Sequence, residues 1–439
     1  MKHSHILWTS VVVQAVVIAV LVISPTLLGI LLCLLAFPLM IAAVVRWPLA
    51  GIYLIIFSIF LGALSTIQFG QKMPNLFYAD IAILAVLYIL IIKQLMNPIN
   101  GLRLFVGRTG LILMLFLVFS FCTLTISEDL LRGLGVLRNY LVGFTMLVLM
   151  SSLVRTQKQI RGVAHALALW GSLLAVIAIT SVFFRPQLSL FERVSLGWGR
   201  ANYIAVFPVM MVPVVLAPVL SRSEAKWRFC LMVAASLLII TLLFTLSRGG
   251  AVALLVVLTI LTAKYIKARS LRYLILFLAI VFVLVYFSPL GRMLVYRFET
   301  ISTSPSALVR IARWKGTWEV FKKNPVVGVG IGNLAHHLSR VTEHAKAHNL
   351  VLMLLSETGL VGFSIFMWMI VWIVRMQIMN CRQIRDGFQN SLSWGILAAT
   401  IGVLVHSMVE PIFEAYQFSL IFWGLVGIST KQYLWRKET

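Results

Sequence analysis

Four histidines, His336, His337, His344 and His348, fall within a stretch of thirteen residues. His344 and His348, four apart, would share a helical face, so a zinc site is the first chemistry to weigh. It fares poorly, because no His-Glu-x-x-His occurs and the nearby acids are only Glu343 and Glu357. Magnesium-type chemistry is no better provided for. The chain has Asp only at positions 80, 129 and 386, none in an Asp-x-Asp pair, whereas diphosphate enzymes that use Mg²⁺ or Mn²⁺ usually offer the ion one or two carboxylates. Diphosphate chemistry here would have to lean on arginine, whose guanidinium binds phosphate bidentately and keeps its charge when partly dehydrated. Neither a metal nor a cofactor is expected.

Such side chains need a scaffold, and composition says of which kind. Of 439 residues 61% are hydrophobic and 11% charged, against the 45 to 50% apolar and about 25% charged of a soluble domain. An ordinary soluble enzyme is excluded. Long apolar runs bounded by charges and turn residues predict an all-α polytopic membrane protein of about 12 to 14 transmembrane helices. The spans fall near 6–23, 25–45, 47–63, 76–95, 109–126, 132–153, 162–183, 201–220, 228–246, 249–265, 272–288, 349–374, 391–409 and 416–431. The first lacks a convincing small-residue cleavage site and reads as a retained helix, not a signal peptide. Three regions result: a helix bundle over 1–288, a large outer loop over 289–348, and C-terminal membrane helices over 349–439.

A formal charge of +24, from 37 Lys and Arg against 13 Asp and Glu, would point to nucleic acid in a soluble protein. Here its location gives it another meaning. With both termini inside, short inner loops hold Arg155, Lys158 and Arg161, then Arg222, Lys226 and Arg228, then Lys264, Lys267, Arg269 and Arg272. The positive-inside rule is satisfied loop by loop, and the cations of the long outer loop are largely exempt from it. No nucleic-acid partner is expected. Cys33, Cys122 and Cys230 lie in spans and Cys381 in an inner loop, so none is placed for an outer disulfide.

Ionisable groups beside a bilayer are costly and are the first functional candidates. On this topology they collect at the outer face: Asp80, Glu128, Asp129, Arg138, Arg185, Glu192, Arg193, Arg200, Arg248, Glu410 and Glu414. The outer loop adds its own structure. Ser304-Pro305 reads as an N-cap with proline at the first helical position, and Asn324-Pro325 as a stop. Between them Ala307, Ile311, Trp314, Trp318 and Phe321 make one apolar face, with Arg310, Arg313, Lys315, Lys322 and Lys323 around it. That pattern predicts an amphipathic helix lying on the membrane surface, in contact with lipids. Gly328-Val329-Gly330-Ile331-Gly332-Asn333 is neither a Walker loop nor a dinucleotide fingerprint, and predicts a tight, close-packed turn.

Taken together, these residues resemble a family. Trp314 to Gly332, with Asn324-Pro325 and Gly328-x-Gly330-x-Gly332-Asn333, leads into His348-Asn349-x-x-Leu352 and Glu357-x-Gly359-x-x-Gly362. With Ser247-Arg248-Gly249-Gly250 and Arg200-Ala201-Asn202, this order resembles the O-antigen ligase and polymerase superfamily, most sharply from Arg200 to Gly362. The resemblance implies a C-type glycosyltransferase bundle in the bacterial inner membrane, with its site facing the periplasm. It further implies metal-independent transfer of a glycan from undecaprenyl diphosphate to an acceptor sugar.

Within that frame His348 is the candidate general base, since imidazole is neutral enough near pH 7 to take a hydroxyl proton. Arg200 and Arg248 are the candidate catalytic clamp on the departing diphosphate, and Arg138, Arg310, Arg313 and Asn349 are candidate substrate-binding residues. Glu357, nine residues beyond His348 on one helix, is expected to pair with an arginine inside the bundle and to be structural. The single basic outer loop favours ligation to a lipid A core oligosaccharide. The alternative is an O-antigen or exopolysaccharide polymerase using the same donor. An anion or solute transporter would need charges near the bilayer midplane and on both faces, where the middle spans are almost uncharged.

Overall fold

The computed structural model describes residues 42–61, 78–96, 107–183, 201–224, 226–265, 305–339 and 346–438, with four single positions between 276 and 295. These residues are nearly all helical, and no strand occurs among them. The helices are α1 (Pro48–Leu61), α2 (Tyr78–Met96), α3 (Gly107–Cys122), α4 (Leu130–Leu153), α5 (Gln157–Phe183), α6 (Ala201–Leu220), α7 (Arg228–Thr245) and α8 (Arg248–Tyr265). After the outer-loop helices α9 (Pro305–Lys323) and α10 (Leu334–Ser339) come α11 (Leu350–Gln383), α12 (Gly387–Ser407) and α13 (Tyr416–Glu438).

Eight of the described helices are long and apolar enough to cross a membrane, and α1 and α2 are shorter apolar ones. The chain is thus a polytopic all-α membrane protein. The predicted spans near 6–23, 25–45 and 272–288 lie outside the described residues but for a few positions. The last predicted span falls on α13, which carries Gln417, Ser429, Thr430 and Gln432 buried among its apolar residues. Polar groups glue helices in an apolar solvent, and here they do so in pairs. Gln377 Nε2 on α11 donates to Thr400 Oγ1 on α12 at 3.0 Å. Asn380 Nδ2 on α11 donates to the Ser429 carbonyl on α13 at 2.8 Å. Gln432 Nε2 donates to Gln389 Oε1 at 2.7 Å. A single sequence shows these amides but not that they face one another.

Two helices do most to shape the site. α6 is the buried axis, packed between α7, α8 and α12 despite Pro208, Pro213 and Pro218 in its interior. α11 is one long helix broken at Gly359, whose φ of 62° and ψ of −168° suit glycine alone. A break at membrane depth frees backbone groups that lipid cannot satisfy. The Pro325–Gly330 segment satisfies them. Val329 N donates to the Ser356 carbonyl at 2.9 Å and Gly330 N to the Glu357 carbonyl at 3.0 Å. In the other direction Leu360 N donates to the Pro325 carbonyl at 2.8 Å and Val361 N to the Val326 carbonyl at 3.2 Å.

The amphipathic helix forms between the predicted cap and stop, but its packed face differs from the one predicted. Gly316, Thr317, Val320 and Phe321 are buried, and α9 packs on α11, while Leu308, Ile311 and Trp318 are exposed. Periodicity picks out the most apolar stripe. The face that packs instead holds the small Gly316 and Thr317, where backbones can approach closely. The rotation turns Arg310 and Arg313 towards the bundle, half-buried, and leaves Lys315, Lys322 and Lys323 outside.

Candidate active site

His348 sits in the loop ahead of α11 with a left-handed backbone, φ 52°. Few residues other than glycine hold that conformation, and where they do it stores about 1 to 3 kcal/mol that surrounding structure must offset. What offsets it is visible. Asn349 caps α11, its side-chain oxygen accepting from Leu352 N at 3.1 Å. One residue on the other side, the Ala347 carbonyl accepts from Trp314 Nε1 of α9 at 3.0 Å. The loop is pinned on both flanks.

The imidazole then meets a carboxylate. His348 Nδ1 lies 2.8 Å from Glu410 Oε1, in the turn after α12, and both side chains are largely buried. Burial pushes the Glu410 carboxyl up, but the hydrogen bond and charge of His348, with Asn202 and His406, outweigh it and hold the group below its ordinary value. An ionised carboxylate only accepts, so Nδ1 carries the proton, and Nε2 is left as the basic nitrogen.

From Glu410 the network runs on to two further helices. Asn202 Nδ2, in the first turn of α6, donates to Glu410 Oε2 at 3.4 Å. Asn202 Oδ1 accepts from Ser247 Oγ at 3.2 Å. Ser247 Oγ also accepts from Gly250 N at 3.3 Å, the N-cap bond of α8. The residue that follows Ser247 is Arg248. The structure therefore joins His348 to the Ser247-Arg248 corner through Glu410 and Asn202, four segments far apart in the chain.

The other predicted residues fall in four groups. Arg310 on α9 is close enough to the buried His406, one turn before Glu410, to act on it electrostatically, and Arg313 shares its protein-facing side. Arg138 is engaged elsewhere. It forms an ion pair with the buried Asp80 and stacks over the Tyr416 ring at 5.1 Å. Asn349 holds the cap described above. Arg200 and His344 lie outside the described residues, as do Arg185, Glu192 and Arg193.

His336 and His337 turn to Glu128, at 2.7 and 3.7 Å. Among the described residues no three His, Cys, Asp or Glu side chains are grouped so as to hold an ion. The glycine turn is as tight as predicted, with φ of 74°, 94° and 73° at Gly328, Gly330 and Gly332. Asn333 fastens it, accepting from Asp129 N at 3.2 Å and donating to the Val329 carbonyl at 2.8 Å. Glu357 fastens it from the other side, its Oε2 accepting from Gly332 N at 2.9 Å.

Glu410 and Asn202 are the residues that sequence reasoning did not assign. Asn202 stood in the Arg200-Ala201-Asn202 motif, and Glu410 among the acids at a span end. Only the fold brings them to His348. Fold and site together define a multi-pass membrane protein with a buried imidazole–carboxylate pair at one end of its bundle. Residues 233–367, just under a third of the chain, match the O-antigen ligase family model, which bears out the resemblance drawn from the motifs. The match spans Ser247, Arg248, Arg310, the glycine turn and His348, whereas Asn202 and Glu410 lie beyond it. No curated protein matches the chain.

Proposed function

We propose that this protein moves a glycan from undecaprenyl diphosphate to an acceptor sugar at the periplasmic face of the inner membrane, in the sense of O-antigen ligation to lipid A core. The observation that carries this reading is the His348–Glu410 pair, linked through Asn202 to the corner that bears Arg248. His348 Nε2 takes the proton of the acceptor hydroxyl as its oxygen bonds the anomeric carbon. The bond from that carbon to the diphosphate breaks, and the lipid diphosphate leaves with the electron pair. Glu410 holds the imidazole in the useful tautomer and steadies the imidazolium that forms. Arg248 neutralises the leaving group, and Arg200, Arg310 and Arg313 are the further cations assigned to the substrate. Glycan-bearing lipid, acceptor and membrane lipid are the partners.

Purified full-length protein with a lipid-linked donor and a core acceptor, assayed in EDTA, tests this. Transfer should proceed without added metal, and His348→Gln should lower it by about 10²- to 10⁴-fold. A requirement for divalent metal, or an indifferent His348→Gln, overturns the mechanism. Glycan analysis of a strain lacking the gene separates the acceptors. Long chains left on the carrier mean a ligase, and single-repeat products mean a polymerase.

A further inference from the structure

At the end of the bundle away from His348, the turns that join α4 to α5, α6 to α7 and α11 to α12 meet one another. We propose that their joint surface docks the anionic headgroups of phospholipids in that leaflet. The proposal needs only that the chain spans a membrane, and it stands apart from the glycosyl-transfer reading.

Arg161, near the start of α5, ties the three turns together. Its Nε lies 2.7 Å from Glu224 Oε1 in the α6–α7 turn, and its guanidinium stacks over the ring of Phe388, in the first turn of α12, at 4.7 Å. Ser223 Oγ, 3.2 Å from Ser391 Oγ, fastens the same two segments. A capping box fixes the start of α5: Gln159 N donates to Thr156 Oγ1 at 3.2 Å, and Gln159 Oε1 accepts from Thr156 N at 3.1 Å.

This convergence concentrates charge. Arg155, Lys158 and Arg161 come from the first turn and the helix it opens, Arg222 and Lys226 from the second turn, and Arg385 from the third; all are exposed. The two acids at the junction are already engaged. Glu224 is buried, with Oε1 on Arg161 and Oε2 3.6 Å from His165 Nε2. Asp386 caps α12, its side chain accepting from Gln389 N at 2.8 Å. Among the described residues, Arg161 alone of these cations is in an ion pair. The surface is therefore strongly positive.

What borders it points to lipid. Trp227 and Phe229 follow Lys226 directly and are 48% and 76% exposed, and Met232 and Val233 continue the same open apolar side along α7, a helix long and apolar enough to span a membrane. A tryptophan at the end of such a helix sits at headgroup level, so the cations beside it stand where lipid phosphates are. An acidic soluble protein would be met by cations ringed by water, not by cations that rim an apolar helix face.

The test places full-length protein in nanodiscs of equal phosphatidylglycerol and phosphatidylcholine, with p-benzoylphenylalanine in place of Phe229 or, as control, of Leu173, which is exposed midway along α5. Mass spectrometry counts the lipid adducts after illumination. At Phe229 the anionic lipid should exceed the zwitterionic one by about fivefold or more, the effect of roughly one cation near the surface, and high salt should erode the excess. At Leu173 both lipids should be captured equally. Arg155→Gln/Lys158→Gln/Lys226→Gln/Arg385→Gln should bring the Phe229 ratio down to that at Leu173, whereas Arg155→Lys/Arg385→Lys should leave it unchanged. Melting in phosphatidylcholine alone should match the parent for both variants, which shows that the loss is of lipid and not of fold. Equal capture at Phe229, an excess that the Gln variant retains, or the same excess at Leu173 overturns the docking site.

Discussion

His348 Nδ1 and Glu410 Oε1 lie 2.8 Å apart, although 62 residues and the whole of α11 and α12 separate them in the chain. A carboxylate against Nδ1 matters for tautomer as well as for charge. Glu410→Gln keeps size and hydrogen-bonding capacity but can offer an amide N–H, which favours the tautomer with its proton on the wrong nitrogen. The loss in kcat should be on the order of 10³- to 10⁴-fold, the scale set by removing the corresponding charge in Ser-His-Asp enzymes. KM for donor should change little. A Glu410→Gln variant with near-normal kcat would mean that the pair is only structural.

The depressed Glu410 carboxyl also predicts how stability depends on pH. A group whose folded pKa lies below its unfolded value stabilises the fold fully above the unfolded value, near 4.3 for Glu, and loses that contribution as pH falls through the folded value. The gap between melting curves of the parent and of Glu410→Gln at about pH 5 is therefore the reference for the Glu410 contribution. Below that the parent should lose ground towards the variant. A separation that widens below about pH 5 contradicts the assignment.

Arg138 carries a prediction that separates two roles. Its partner Asp80 is 5% exposed, so Asp80→Ala leaves a half-buried guanidinium facing an emptied site. Breaking such a pair costs about 3 to 5 kcal/mol, whereas removing both charges costs less. If Arg138 is structural, Asp80→Ala/Arg138→Ala should melt above Asp80→Ala and recover transfer with it. If Arg138 also holds substrate, stability recovers and transfer does not. The double-mutant cycle in Tm and kcat/KM reads both at once.

The Arg248 corner gives a further measure. Arg248→Ala should lower kcat by about 10²- to 10³-fold, the usual effect of deleting one donor to a developing anion. Arg248→Lys should recover only part, because a point charge replaces a bidentate fork. Ser247→Ala, which removes the bond to Asn202 and the cap of α8, should cost about 1 kcal/mol of stability and a smaller share of kcat. Equal losses at Ser247 and Arg248 would argue that the corner serves only as a cap.

What the sequence disclosed was set by period and length. Helices α3 to α8 lie where hydropathy places them, and α9 runs between its predicted cap and stop, because those signals are local. Partners across the fold were not legible. Nothing in the spacing of His348 points to Glu410, Asn202 or Ser247, which meet only when α6, α8, α11 and α12 bring one end together. The rotation of α9 was hidden for a related reason. Gly316 and Thr317 look unremarkable beside Ile311 and Trp318, and only the approach of α11 shows that the face with small residues is the packed one. Glu357 shows the same limit: its spacing suggested an arginine partner, and the bond it accepts from Gly332 N–H was not legible there.

Gly359 allows the break in α11 and with it the course of the chain into the glycine turn. Its φ of 62° with ψ of −168° is open only to glycine, and a Cβ there would be driven into the Val326 carbonyl, backbone that cannot turn aside. Alanine at this position must straighten α11 or push the 325–330 segment away, and either disrupts the four hydrogen bonds that close the break. The strain alone is on the order of 1 to 3 kcal/mol, with the lost bonds added to it. Gly387 supplies the control. It opens α12 with only Ser223 Cβ, at 3.9 Å, near the place of a new methyl, so alanine there should be neutral or gain about 0.5 to 1 kcal/mol. In nanodiscs the expected order of melting is Gly387→Ala at or above the parent, with Gly359→Ala well below both. A Gly359→Ala protein that melts with the parent would show that the break in α11 is not fixed by this residue.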